Sequence, residues 1–167
     1  MRDQRASRDA RRTREFEAFV AGAAGRLLHA ATLLTGEAPD DGPRARRLLA
    51  PALAHTYARW DRLRGEDPYV CARQYLATRF AHEAWRHYGA PGRARPHPRS
   101  PLAELAPQER LILVLRMFEG VAEEQTAALL GLPVERVHTI CDRATATVLH
   151  PAREAARPAV GARAAPS

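Results

Sequence analysis

The chain has 167 residues, of which 46% are hydrophobic and 27% charged, with a formal net charge of +7. That length suits one domain or two small ones, and no uninterrupted run reaches the roughly 18 apolar residues that a membrane-spanning helix needs. All 26 basic residues are arginine, which beside so much Ala, Pro and Gly reflects a GC-rich coding bias as much as a choice of chemistry.

The opening stretch, MRDQRASRDARRTR, lacks the apolar core of a secretory signal, so a cytoplasmic protein is expected. Residues 1–13 read as a disordered basic tail. A first helix is predicted from Arg14 to Leu34. Phe16, Phe19, Val20, Ala23, Leu27, Ala31 and Leu34 recur at three- and four-residue steps and form one apolar stripe. Thr35-Gly36 ends it. A second helix is predicted from about Pro43 to Leu63, with Leu49, Leu53, Tyr57 and Trp60 on one face. Pro51 lies inside that span. An interior proline removes a backbone hydrogen bond, so the helix either kinks there or starts there. A third helix follows Asp67-Pro68, an N-cap followed by a first-turn proline. Its core stripe is Tyr69, Ala72, Leu76 and Phe80, and it ends near Tyr88-Gly89. Residues 89–100, rich in Pro and Arg, read as an extended linker. On that reading the flanking modules, 14–88 and 101–150, move independently.

Beyond the linker, Pro107 opens a fourth helix that Gly120 stops. Val121–Leu130 is a fifth helix and Pro133 to about His150 a sixth. Residues 151–167 read as a disordered tail. No segment alternates with the period of a strand, so the fold class is all-α. Cys71 and Cys141 stand far apart, with no Cys-x-x-Cys pair, and read as reduced thiols. His82 and His87 are five apart, which puts them about 140° out of register on a helix. Zinc needs a spacing of four. No metal, no cofactor and no enzymatic chemistry is expected.

The stretch EEQTAALLGLPVERVHTICD is the most informative. Ala127 lets two helices cross closely, Gly131 supplies a left-handed turn, and Val137 is the buried contact of the second helix. Leu130, Leu132 and Ile140 complete a small shared core. Small residue, glycine and branched apolar residue at these offsets are the sequence form of a helix-turn-helix. An ordinary helical corner would give the same pattern. In a helix-turn-helix the exposed face of the second helix is Glu135, Arg136, His138, Thr139, Asp142 and Arg143. Charge argues for restraint, because residues 101–150 carry a net −3 and the basic excess lies mostly in tails and linker. That module alone is expected to bind duplex DNA weakly, and better as His138 protonates.

LAPQERLILVLRMFEGVAEEQTAALLGLPVERVHTICDRATATVL resembles the sigma-four domain of extracytoplasmic-function sigma factors. The likeness rests on a proline-led helix ending in Leu115-Arg116 and a helix-turn-helix ending in Arg143-Ala144. FEAFVAGAAGRLLHAATLLTG and LAHTYARWDRLRGEDPYV are similar to the sigma-two domain of the same family. The resemblance implies a factor that directs core RNA polymerase to promoter DNA, with an anti-sigma protein as a possible partner. It gives the second helix to polymerase docking, through Arg46, Arg47, Ala50 and Leu53. It gives the third helix to the minus-ten element, through Tyr75, Arg79, His82, Trp85 and Arg86. There arginines would steer phosphates and aromatic rings stack unpaired bases; a solvated amphipathic face is the alternative. It gives the sixth helix to the minus-thirty-five element, through Arg136, His138, Thr139 and Arg143. Arg46, Arg47, Ala50 and Pro51 stand where the family usually carries Asp, Gln and Glu. Glu135-Arg136 and His138 stand where it usually opens with Gly-Thr and a cation. A second reading is therefore a protein-interaction regulator on the same fold, without promoter recognition.

Overall fold

A computed structural model describes residues 2–38, 40–63, 65–86 and 99–150. Most of the 89–100 linker, His87 and the 151–167 tail lie outside the described residues. Among the described residues there are six α-helices: α1 (Arg2–Thr35), α2 (Pro43–Arg59), α3 (Pro68–Arg86), α4 (Pro107–Leu113), α5 (Glu123–Leu130) and α6 (Val134–Leu149). A 3-10 turn, Trp60–Arg62, follows α2, and a π-helical turn, Val114–Phe118, continues α4. Among the described residues there is no strand.

Helix α1 is longer than the sequence led us to expect. The basic stretch read as a tail is helical from Arg2. Arginine is a good helix former, and this stretch has partners to hold it. Arg11 pairs with Glu15 at 3.5 Å, one turn on. Arg12 reaches Asp61 at 3.3 Å, donates to the Tyr57 hydroxyl at 3.2 Å and lies 4.6 Å from the Tyr57 ring centre. Below it, Phe16 packs edge-on against Tyr57 and Trp60, with ring centres 4.9 and 5.3 Å away. By composition α1 holds a stretch apolar enough to cross a membrane, but Arg26 and His29 interrupt it and the stripe Ala23, Leu27, Ala31, Leu34 is buried against the other helices.

Helix α2 starts at Pro43 and runs through Pro51. Its buried face is Ala45, Leu48, Leu49, Ala52 and Thr56, rotated from the expected Leu49–Leu53–Tyr57–Trp60 stripe. The difference has a cause: the small residues Ala45 and Ala52 admit close packing, while Tyr57 and Trp60 turn toward the aromatic cluster on α1. The cap of α2 comes from outside it. The Glu37 carboxylate accepts from the Arg44 and Ala45 backbone N–H groups at 2.9 and 2.7 Å, satisfying two of the donors every helix leaves unpaired at its start. Helix α3 is capped as its sequence implied, with the Tyr69 N–H donating to the Asp67 carboxylate at 2.8 Å.

The two halves of the chain do not stand apart. Buried residues from α1, α2 and α3 form one continuous core with those of α4, α5 and α6. The sequence reads as two independently moving modules, whereas their buried residues here pack into one cluster. Leu111 and Ile112 of α4, 2% and 0% exposed, give that core its centre. Arg110, one residue before them, is 5% exposed. Its Nε donates to the Leu34 carbonyl at the end of α1 at 3.1 Å, and its Nη1 to the Leu105 carbonyl at 3.2 Å. A helix ends with carbonyls that lack intrahelical donors and with the negative pole of its dipole. A guanidinium placed there answers both, across the junction of the two halves. Arg110→Leu keeps the volume but strands these carbonyls, so it should lower folding stability by about 1–3 kcal/mol. The urea midpoint measures this; an unchanged midpoint would remove Arg110 from the account.

Candidate nucleic-acid interface

The helix-turn-helix forms as its residues imply. Ala127 and Val137 are buried where α5 and α6 cross, together with Leu130 and Ile140, and Leu132 packs at their edge. Gly131 takes φ 65°, ψ 35°, the left-handed C-cap of α5. The Leu132 N–H then donates back to the Ala127 carbonyl at 3.0 Å, closing the turn. These contacts fix α6 against α5 and leave Glu135, Arg136, His138, Thr139, Asp142 and Arg143 exposed on its far side.

Their chemistry is more restrained than their exposure. Arg143 is held by Glu109 at 2.7 Å, and the same Glu109 carboxylate accepts from the Ala106 N–H at the start of α4. Thr139 turns its hydroxyl to the Glu135 carbonyl at 2.8 Å, within its own helix. His138 lies between two carboxylates, with Nδ1 3.1 Å from Glu123 and Nε2 3.2 Å from Asp142. Glu123 opens α5 and also meets Arg116 at 3.4 Å, while Arg116 donates to the Val121 carbonyl. A single chain of contacts therefore runs from the π turn after α4 through the first turn of α5 to α6. The hydrogen bond to Glu123, and then the charges of Asp142 and Glu123, raise the His138 pKa above its ordinary 6.5. His138 in turn lowers the Glu123 carboxyl below 4.5. Arg136 makes no ion pair among the described residues and is the cation most available to an incoming phosphate.

On α3, Arg79, His82, Trp85 and Arg86 are exposed, Trp85 by 45%. Arg79 pairs with Glu83 at 3.0 Å. Tyr75 differs from them: it is half-buried and stacks on His55 of α2, ring centres 4.4 Å apart at 25°. A cleft of about 370 Å³ lies along Tyr75, Thr78, Arg79, His82 and Arg86. On α2, Arg46, Arg47 and Ala50 are exposed, whereas Leu53 is half-buried against the core. The expected residues thus fall on three surfaces: the outer face of α2, one flank of α3 and the far side of α6. Sequence reasoning missed the partners that restrain them. Glu109 and Glu123 gave the signal of a first-turn carboxylate. Nothing local signalled that Glu119, with a side chain only 1% exposed, is buried.

Residues 102–148 match the family model for Sigma-70, region 4. The chain is 31% identical over 153 residues to the RNA polymerase sigma-E factor of Streptomyces coelicolor, covering 79% of this chain and 82% of that protein. Identity to the RNA polymerase sigma-E factor of Streptomyces avermitilis is 33%, with the same coverage. No solved structure matches.

The His138 contact makes a pH prediction. The group with the raised pKa, His138, stabilises below its titration and loses that contribution as pH rises through it. The group with the lowered pKa, Glu123, stabilises above the ordinary carboxylate range and loses its contribution as pH falls. The contact between α5 and α6 is therefore firmest from about pH 5 to the His138 titration. In the wild-type chain the His138 ring should titrate above 6.5 by NMR, and Glu123→Gln should bring it down. Identical titrations in the two proteins would show that the contact is absent in solution.

Proposed function

The chain belongs to the extracytoplasmic-function sigma factors of RNA polymerase, and from that premise we propose how its surfaces divide the work of promoter recognition. A sigma factor directs the polymerase to promoters and takes part in initiation by binding DNA; the polymerase itself forms the phosphodiester bonds. The N-terminal helices, within residues 14–88, dock on core polymerase by the exposed Arg46–Arg47–Ala50 face of α2, with Leu53 beneath it. Helix α3 meets the minus-ten element with Tyr75, Arg79, His82, Trp85 and Arg86. The C-terminal helices, within residues 101–150, meet the minus-thirty-five element with α6. The protein works where the polymerase is, in the cytoplasm, and the outer face of α2 is also open to an anti-sigma protein.

The observation that carries this reading is the helix-turn-helix, whose second helix presents six polar side chains on one exposed face. Its near-neutral exposed face supports a helix that polymerase holds on the promoter. Phosphate neutralisation supplies most non-specific affinity. Here Glu135 and Asp142 offset Arg136 and Arg143, Glu109 already holds Arg143, and His138 lies between two carboxylates. The free chain should therefore bind duplex weakly at physiological salt.

Run-off transcription with core polymerase tests the reading. Wild-type chain should yield promoter-specific transcripts that core polymerase alone does not. Arg136→Ala should weaken promoter binding and reduce the slope of log affinity against log salt by about 1, as expected for one lost phosphate contact. Trp85→Ala removes an exposed ring and should cost about 1–3 kcal/mol of single-strand binding on stacking grounds. Strand opening read by 2-aminopurine fluorescence would then fall by roughly 5- to 150-fold at limiting protein. Transcription unchanged by either substitution would reject these assignments.

A further inference from the structure

We propose that the N-terminal turns of α1 form a basic arm that binds the phosphate backbone of duplex DNA without reading its sequence. This surface lies apart from α3 and α6 and does not depend on their assignment to promoter elements.

Residues 4–14 hold five arginines against one aspartate. The whole chain has 26 arginines in 167 residues, so coding bias does not account for that density. The stretch is helical throughout, and its base is fixed to the end of α2. Arg12 meets Asp61 at 3.3 Å and donates to the Tyr57 hydroxyl at 3.2 Å, and the Trp60 Nε1–H donates to Glu15 at 3.4 Å. Ahead of that clamp, Arg5 and Arg8 are exposed and make no ion pair among the described residues. Arg11 pairs with Glu15 at 3.5 Å, but their side chains are 74% and 53% exposed, a contact that water screens and a phosphate can replace. Arg5, Arg8 and Arg12 stand at steps of three and four residues and share one face of the helix. With Arg11 they border a hollow of about 470 Å³. Asp9, Glu15 and Asp61 border it too. Arg11 and Arg12 answer Glu15 and Asp61, which leaves Arg5 and Arg8 facing Asp9 alone. The helix dipole favours carboxylates, not cations, in a first turn. The stability of α1 therefore does not explain Arg5 at that position.

The chemistry of the arm selects its partner. Between residues 4 and 14 the only apolar side chains are Ala6 and Ala10. A protein interface needs a desolvated apolar centre, and a helix lying on a membrane needs large apolar side chains along one face. The arm has neither. Unpaired strands are held by stacking on aromatic rings, and the nearest ring, Phe16, is already packed edge-on against Tyr57 and Trp60. What remains is a row of guanidinium groups on a rigid helix. That suits the closely spaced phosphates of a duplex, where affinity comes from charge-assisted hydrogen bonds and the release of counterions. Two or three such contacts are too few to hold the free chain on DNA at physiological salt. In a polymerase complex that already keeps the duplex close, they add to an attachment made elsewhere. The arm thus supplies the attraction that the near-neutral face of α6 lacks.

The test is fluorescence anisotropy of the full chain with a short labelled duplex that lacks promoter elements, titrated at several salt concentrations. Arg5→Gln combined with Arg8→Gln should reduce the slope of log affinity against log salt by about 2, one for each lost phosphate contact. The advantage of wild type over this variant should accordingly shrink about tenfold between roughly 50 and 200 mM salt. Gln is as good a helix former as Arg, so the arm stays helical. Arg5→Lys combined with Arg8→Lys keeps the charges and should keep the wild-type slope. An unchanged slope in the Gln pair overturns the proposal, and so does an equal loss in the Lys pair, because the binding rests on charge. A Gln pair that keeps its duplex affinity but loses core polymerase would make the arm a protein-docking element and overturn it as well. The anisotropy needs no polymerase, whereas run-off transcription by wild type judges the sigma reading, so either can fail alone.

Discussion

A carboxylate taken out of water needs compensating charge and hydrogen bonds around it. At Glu119 they come from Arg26, Arg73 and Tyr69, all in the first three helices. Arg110 makes the complementary link, carrying a guanidinium from the second half of the chain to the end of α1. These two residues flank the apolar segment Leu111–Leu115, so the charge links and the core they border form together. The relative placement of the α2 face, the α3 flank and α6 depends on this junction.

Helix α6 is governed by a different balance. Van der Waals packing through Ala127, Val137 and Ile140 sets where it lies, and this part is indifferent to charge. The exposed side is nearly neutral, and its polar groups are largely engaged with Glu109, Glu123 and each other. A helix built this way is well placed to present a shape but supplies little electrostatic pull of its own. On the proposed assignment, affinity then comes from the polymerase that holds both the protein and the DNA, and the face of α2 matters to promoter recognition as much as the exposed side of α6.

The sequence made the local parts legible. Ala127, Gly131 and Val137 specified the helix-turn-helix, Asp67-Pro68 the start of α3, and the Phe16-to-Leu34 stripe the buried face of α1. Periodicity and caps are encoded within a few residues, and those features formed as expected. What failed was everything that depends on distant partners. The 1–13 stretch looked disordered because Arg12 finds Tyr57 and Asp61 only once α2 has packed against α1. The α2 face was misplaced because Tyr57 and Trp60 answer to Phe16 and Phe19, not to the main core. The separation of the two halves was inferred from the Pro/Arg run between them, whereas docking is decided by Glu119, Arg110 and their partners. A glutamate before a glycine, or an arginine in a first helical turn, carries no sign of being buried. The Glu119–Tyr69 contact spans 50 positions.

The central claim is that both halves share one core in the free protein, and differential scanning calorimetry of the full chain tests it most directly. A single core predicts one endotherm whose calorimetric enthalpy equals its van't Hoff enthalpy. Two resolved transitions, or a calorimetric enthalpy well above the van't Hoff value, would mean that the halves unfold separately and would contradict the account.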